Sequence, residues 1–129
     1  MAKNSGVIVD TDIIIKIFRG DKEKRDVLEP IQDELGIFII TAMELMSGAK
    51  SKKREFEISK TVKAYNLFDL TSNIGTRAFS IIKKYHLHHT VSIADALIAA
   101  TAIENNLPLY TDNLNDYFFI KELQLYKPK

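Results

Sequence analysis

Asp10, Glu44, Asp95 and the later acids Asp112 and Asp116 are the side chains with which this sequence can do chemistry. Intervals of 34, 51 and 21 residues separate Asp10, Glu44, Asp95 and Asp116, so no local motif contains them and only the fold can unite them. Brought together, carboxylates raise one another's pKa. A divalent cation relieves that conflict, and an oxygen-only donor set favours Mg²⁺ or Mn²⁺. Such ions bind phosphate oxygens, activate water and stabilise transition-state charge, so the acids point to phosphodiester hydrolysis. Cysteine is absent, which excludes disulfides, thiolate zinc sites and a thiol nucleophile.

The elements that must position these acids follow from the residue pattern. The β-branched run 7–9 reads as a buried strand ending at Asp10. Asp12 then caps a helix over 13–19, which stops at Gly20. A short helix over 22–28 is broken by Pro30, and a second strand covers 37–40. Thr41 and Glu44 form a capping-box pattern that opens a helix toward Ser47. A basic-rich helix is expected over 50–65, a short strand over 67–70, and a helix from Thr71 or Ser72 to about 85. Ser92 and Asp95 repeat the capping-box pattern before a helix over 93–105 that is apolar nearly all round, as a helix buried on more than one side is. Pro108, Leu109 and Tyr110 form a strand with its exit at Thr111-Asp112-Asn113, and a final helix and a strand over 124–126 complete the chain. Strands alternating with helices predict an α/β fold, a mostly parallel sheet covered on both faces. Ligands bind such sheets at the carboxyl ends of the strands, the edge onto which all five acids map.

Each acid also has a structural reading. Glu44 and Asp95 can be helix caps, and Asp12 a cap or a support for its neighbours. Asp10 is harder to explain that way, because an acid ending an apolar strand is costly unless it is hydrogen-bonded, solvated or metal-bound. Thr11 and Thr111 adjoin strand ends, where a hydroxyl can orient a carboxylate or a water; Asn113 can donate to a phosphate or serve the turn.

The rest of the composition sets bounds. The 129 residues suit one domain, and Lys plus Arg total 18 against 17 Asp plus Glu, a net charge of +1. Charge alone therefore does not suggest nucleic acid, and the location of the basic groups matters more. The run Lys50, Lys52, Lys53 and Arg54, just after Glu44, is the candidate for holding a phosphodiester backbone, although an ordinary solvated helix face explains it too. His86, His88 and His89 follow a helix end and read as surface groups without helical zinc-site spacing. Tyr65, Phe68, Phe79, Tyr85, Tyr117, Phe118 and Phe119 read first as core. The opening MAKNSGVIVD lacks a secretory apolar run, and the oily segment 7–18 is too short and too charged to span a bilayer, so a cytoplasmic protein without membrane contact is expected.

The three acid-bearing segments, VIVDTDIIIKIF, TAMELMSG and SIADALIAATAIENNLPLYTDN, together resemble the PIN-domain family, and within it the VapC-like toxins of toxin–antitoxin pairs. The resemblance runs from Val7 to Tyr126 and implies a single PIN domain over 1–129, a three-layer α/β/α fold. It implies an Mg²⁺- or Mn²⁺-dependent endoribonuclease, often a homodimer, inhibited by a cognate antitoxin. Asp10, Glu44 and Asp95 match the family's three main acids. For the fourth, Asn113 stands where some members carry Asp, which leaves Asp116 preferred and Asp112 in reserve. The helix 13–18 and the pair Met43 and Met46 are candidate walls of a groove for an antitoxin helix, with core packing as the other reading. The alternative function is a PIN-like nuclease of RNA processing or one acting on DNA. No Gly-rich GxxxxGK[ST] loop is present, so nucleotide triphosphate hydrolysis is not expected.

Overall fold

The computed structural model describes residues 6–128; the outer limits of the expected 1–129 domain, residues 1–5 and 129, lie outside them. Four short parallel strands form one sheet in the order β3-β2-β1-β4: β1 (Val7–Val9), β2 (Leu35–Phe38), β3 (Asn66–Phe68) and β4 (Leu109–Tyr110). Strand side chains alternate between faces, and here the alternation builds two cores. Ile8, Phe38 and Leu109 join one apolar cluster; Val7, Val9, Leu35, Ile37 and Tyr110 join the other.

Helices cover both faces, giving three layers. On the first face lie α5 (Ser72–Tyr85) and α6 (Ile93–Glu104), through Ile74, Ala78, Ile81, Ala96, Ile98 and Ala99. On the second lie α1 (Thr11–Phe18), α2 (Lys22–Leu28) and α4 (Lys52–Ala64), while Leu45 of α3 (Ile39–Ser47) packs there as well. Full burial of each large aliphatic side chain contributes roughly 1.5–3 kcal/mol, so the central strands anchor the molecule. Gly36 in β2 is required by packing: a Cβ there would lie 2.5 Å from the Phe68 ring, which crosses over it. Among the described residues no helix is long and apolar enough to cross a membrane.

Several expected boundaries move. Helix α1 starts at Thr11 with Asp10, not Asp12, as its cap. Strand β2 ends at Phe38, and α3 begins at Ile39 with no capping side chain. The expected capping box at Thr41 and Glu44 is therefore absent; both residues lie inside the helix. Helix α4 starts at Lys52 behind a Ser51 cap, which leaves Lys50 outside it. The capping of α5 by Thr71 and of α6 by Ser92 agrees with expectation. In place of a final helix there is one 3-10 turn, Leu114–Asp116. The expected last strand shrinks to a single parallel bridge between Leu125 and Leu109.

Candidate active site

The sheet order places β1 between β2 and β4, so the chain departs in opposite directions from neighbouring strand ends. A crevice opens at such a reversal. Asp10 and Thr111 leave β1 and β4 side by side there, joined by the bond from Asp10 N–H to the Tyr110 carbonyl at 2.9 Å.

Asp10 is only 4% exposed. Its Oδ1 accepts from Thr11 N–H at 2.8 Å, and its Oδ2 accepts from the Thr111 hydroxyl at 2.8 Å. Those bonds favour the ionised form, but burial and then the charge of Asp12 outweigh them, and Asp95 adds to the effect. The Asp10 pKa rises from 3.8 to about 7.

Asp95 comes from the first turn of α6, where its N–H donates to the Ser92 hydroxyl at 3.0 Å. Burial raises its pKa; hydrogen bonds from Tyr117 and Ser92 pull it down, and Asp116 and Glu44 push it up. Asp95 therefore feels the charges of both Glu44 and Asp116, and Asp10 feels that of Asp95. Glu44 is exposed, and its Oε1 accepts from the Thr11 hydroxyl at 2.7 Å. Asp116 sits half-buried in the 3-10 turn. Among the described residues no three acids or histidines approach closely enough to form a ready metal cage. The acids share a region without yet sharing a coordination point.

Asp112 is placed differently. Lys16 of α1 and Lys24 of α2 both hold its carboxylate, the second at 2.8 Å. Burial pushes Asp112 up, but the two lysines prevail and hold its carboxyl below the usual range. Its N–H donates to Asp12 at 2.9 Å, so Asp12 ties the β4 exit to α1. Asn113 is exposed; its N–H donates to the Thr111 hydroxyl at 3.0 Å, which serves the turn.

The basic run is scattered. Lys50, Lys52, Lys53 and Arg54 are all exposed. Lys52 lies 3.7 Å from Glu55 and Arg54 lies 3.3 Å from Glu57. Arg54 alone reaches back, stacking over Phe18 at 5.2 Å and lining a cavity of about 260 Å³ with Phe18, Arg19, Leu45 and Glu44. Of the expected groove walls, Ile13 and Ile14 are core, whereas Met43 and Met46 are exposed. His86 and His88 lie on the surface, but His89 is half-buried and stacks on Phe119 with ring centres 4.0 Å apart.

Two residues outside the expected site belong to it. Thr41 is fully buried, and its hydroxyl lies 3.1 Å from that of Thr11; because Thr11 gives its one proton to Glu44, Thr41 is the donor, and the chain of hydroxyls ends on Glu44. Tyr117 is 1% exposed and donates its phenolic proton to Asp95 Oδ1 at 3.1 Å. A polar residue within an otherwise apolar helix face is the sequence signal for Thr41. For Tyr117 the signal is weaker: an aromatic with a hydroxyl directly after an acid.

Known proteins resemble this chain in sequence and fold. Ribonuclease VapC1 of Methanocaldococcus jannaschii is 30% identical over 126 residues, covering 95% of this chain and 87% of that protein. Ribonuclease VapC10 of Mycobacterium tuberculosis is 28% identical over 121 residues, covering 92% and 90%. A toxin–antitoxin complex from Klebsiella pneumoniae contains a chain that superimposes with a TM-score of 0.82 at 29% identity, covering 96% of this chain and 98% of that one. The family model described as the PIN domain matches residues 7–117, a span that holds Asp10, Glu44, Asp95, Asp116 and both strands that meet at the crevice; the chain belongs to the PIN-domain family.

Proposed function

We propose that residues 1–129 form a single PIN domain that acts as an Mg²⁺- or Mn²⁺-dependent endoribonuclease, the toxin of a toxin–antitoxin pair. The observation that carries this reading is Asp10, a buried carboxylate whose pKa is raised to about 7 beside a second raised carboxylate, Asp95. Among the described residues neither acid is ion-paired with a lysine or arginine, so the charge balance is left to something outside the chain. An oxygen-only donor set of this kind suits a hard divalent cation. Asp10, Asp95 and Asp116 would hold it, with Glu44 completing the set. When bound, the cation would neutralise these acids and polarise the scissile phosphate.

The chain's own groups do the positioning. Thr111 and Thr11 fix the two oxygens of Asp10. The Thr11 hydroxyl aims Glu44 from the neighbouring helix, and the exposed Glu44 carboxylate is placed to take a proton from an attacking water. In-line attack by that water yields a 5′-phosphate and a 3′-hydroxyl. Lys50, Lys52, Lys53 and Arg54 supply charge for the RNA backbone, Arg54 from beside Glu44. Asp112, clamped by two lysines, supports the loop rather than the ion.

The partner is a cognate antitoxin. The relatives named VapC and the Klebsiella toxin–antitoxin complex support it, as does the cavity between α1, α3 and α4, whose apolar walls are Ile15, Phe18, Leu45 and Ile58. An amphipathic helix laid into that groove would run past Glu44. We place the active form as a cytoplasmic homodimer. The test is cleavage of matched RNA and DNA by purified protein with and without Mg²⁺, with the ends of the products mapped. Cleavage of RNA alone, dependent on the metal and leaving a 5′-phosphate, is expected. Cleavage undiminished by EDTA, or directed at DNA alone, refutes the reading.

A further inference from the structure

The floor beneath the acids is closed by Tyr117, whose ring lies in the apolar cluster of α5 and α6. A phenylalanine would supply the same packing. The hydroxyl is an added polar atom in a buried place, which costs free energy unless it finds a partner. That partner is Oδ1 of Asp95, at 3.1 Å. Asp10 receives a similar bond on Oδ2 from the buried hydroxyl of Thr111, at 2.8 Å. A buried neutral hydroxyl thus reaches both the buried Asp10 and the half-buried Asp95. A hydroxyl orients a carboxylate without cancelling its charge, whereas the lysines on Asp112 do both.

We propose that the Tyr117 hydroxyl is a positioning group for the divalent-cation site, fixing the Asp95 carboxylate through Oδ1 and leaving Oδ2 free of that bond for coordination. The inference rests on the metal-dependent reading above. Groups that orient a metal-binding carboxylate in this way commonly set affinity by 10- to 100-fold.

The test uses the full chain with Tyr117→Phe, which keeps the ring and removes only the donor. Mn²⁺ is titrated by calorimetry into wild type and variant, counting only the uptake that Asp10→Asn abolishes, and metal-free melting is measured alongside. We expect metal-free melting close to wild type, Mn²⁺ affinity weaker by about 10-fold, and no further weakening when Tyr117→Phe is added to Asp95→Asn. Equal Mn²⁺ affinity in a folded Tyr117→Phe protein overturns the inference and leaves the metal reading intact. A variant that does not fold without metal also overturns it, because the hydroxyl would then be holding the core. A wild-type protein that takes up no Mn²⁺ overturns the inference and the metal-dependent reading together.

Discussion

Two pairs of acids stand within one loop's reach of each other at the end of the sheet, and they have opposite surroundings. Asp12 and Asp112 are tied into the framework: Lys16 and Lys24 grip Asp112, and its backbone N–H binds Asp12. The Thr11 N–H and the Thr111 hydroxyl hold the Asp10 carboxylate and the Tyr117 hydroxyl holds that of Asp95, donors that orient the acids and carry no charge to cancel theirs. The physical result is a carboxyl held below its usual range at Asp112 and two held above it at Asp10 and Asp95. Proximity to the crevice does not separate structural from functional acids here. We propose that the presence or absence of an internal counter-charge does.

The sharpest way to break that contrast is to neutralise one acid of each kind. Asp10→Asn or Asp95→Asn should reduce metal-dependent RNA cleavage by about 1,000-fold or more, equivalent to roughly 4 kcal/mol of transition-state stabilisation. Asp112→Asn should leave cleavage within about 10-fold of wild type and cost about 1 kcal/mol of stability through its partly solvated lysine pairs. Cleavage rates and urea unfolding read both. Near-normal cleavage by Asp95→Asn, or a folded but inactive Asp112→Asn, removes the distinction.

The next effect is on stability. Folded protein keeps the Asp10 proton until about pH 7, whereas an unfolded aspartate releases it near 3.8. Metal-free protein should therefore lose stability as pH rises through that interval, by a few kcal/mol, and then level off. Asp112 runs the other way: its lowered pKa gives stability that is present above the normal carboxylate range and lost on acidification. Urea unfolding in EDTA at pH 5 and pH 8 should show the fall in wild type and a much smaller one in Asp10→Asn. Parallel pH dependences for the two proteins would mean that Asp10 carries no such strain. Mg²⁺ should offset the loss at pH 8 in wild type alone.

The smallest effect concerns the exposed basic run. Reversing Lys52 and Lys53 to Glu should weaken RNA binding and lower the slope of log affinity against log salt by about 2 or more. An unchanged slope in a salt titration assigns these lysines to the solvated face of α4.

Much of this is legible in the sequence. Asp10 ends a run of β-branched residues, and a carboxylate there needs a reason, which the strand end supplies. The Ser92 cap and the burial of α6 were also readable, because serine followed by a long apolar stretch has few other solutions. Glu44 lies beside Thr11 as a residue inside its helix, not in the capping box that the spacing predicts. The helix begins before Thr41 because Phe38 passes directly from strand to helix without a polar cap, so Thr41 is free to turn its hydroxyl to Thr11. The choice between Asp112 and Asp116 was beyond spacing, since it depends on lysines that two other helices bring to Asp112. Tyr117 was hidden by its own chemistry: its ring is core, as aromatics usually are, and only its last atom touches the site.

The pairing of the first and last strands has a consequence for how such an enzyme is made. Asp10 and the hydroxyl that orients it, Thr111, are 101 positions apart. Synthesis therefore releases Asp10 well before Thr111 and Tyr117. Until Thr111 and Tyr117 emerge, the growing polypeptide lacks the hydroxyls that orient Asp10 and Asp95, so these acids cannot be set in place before both of the paired outer segments have been made.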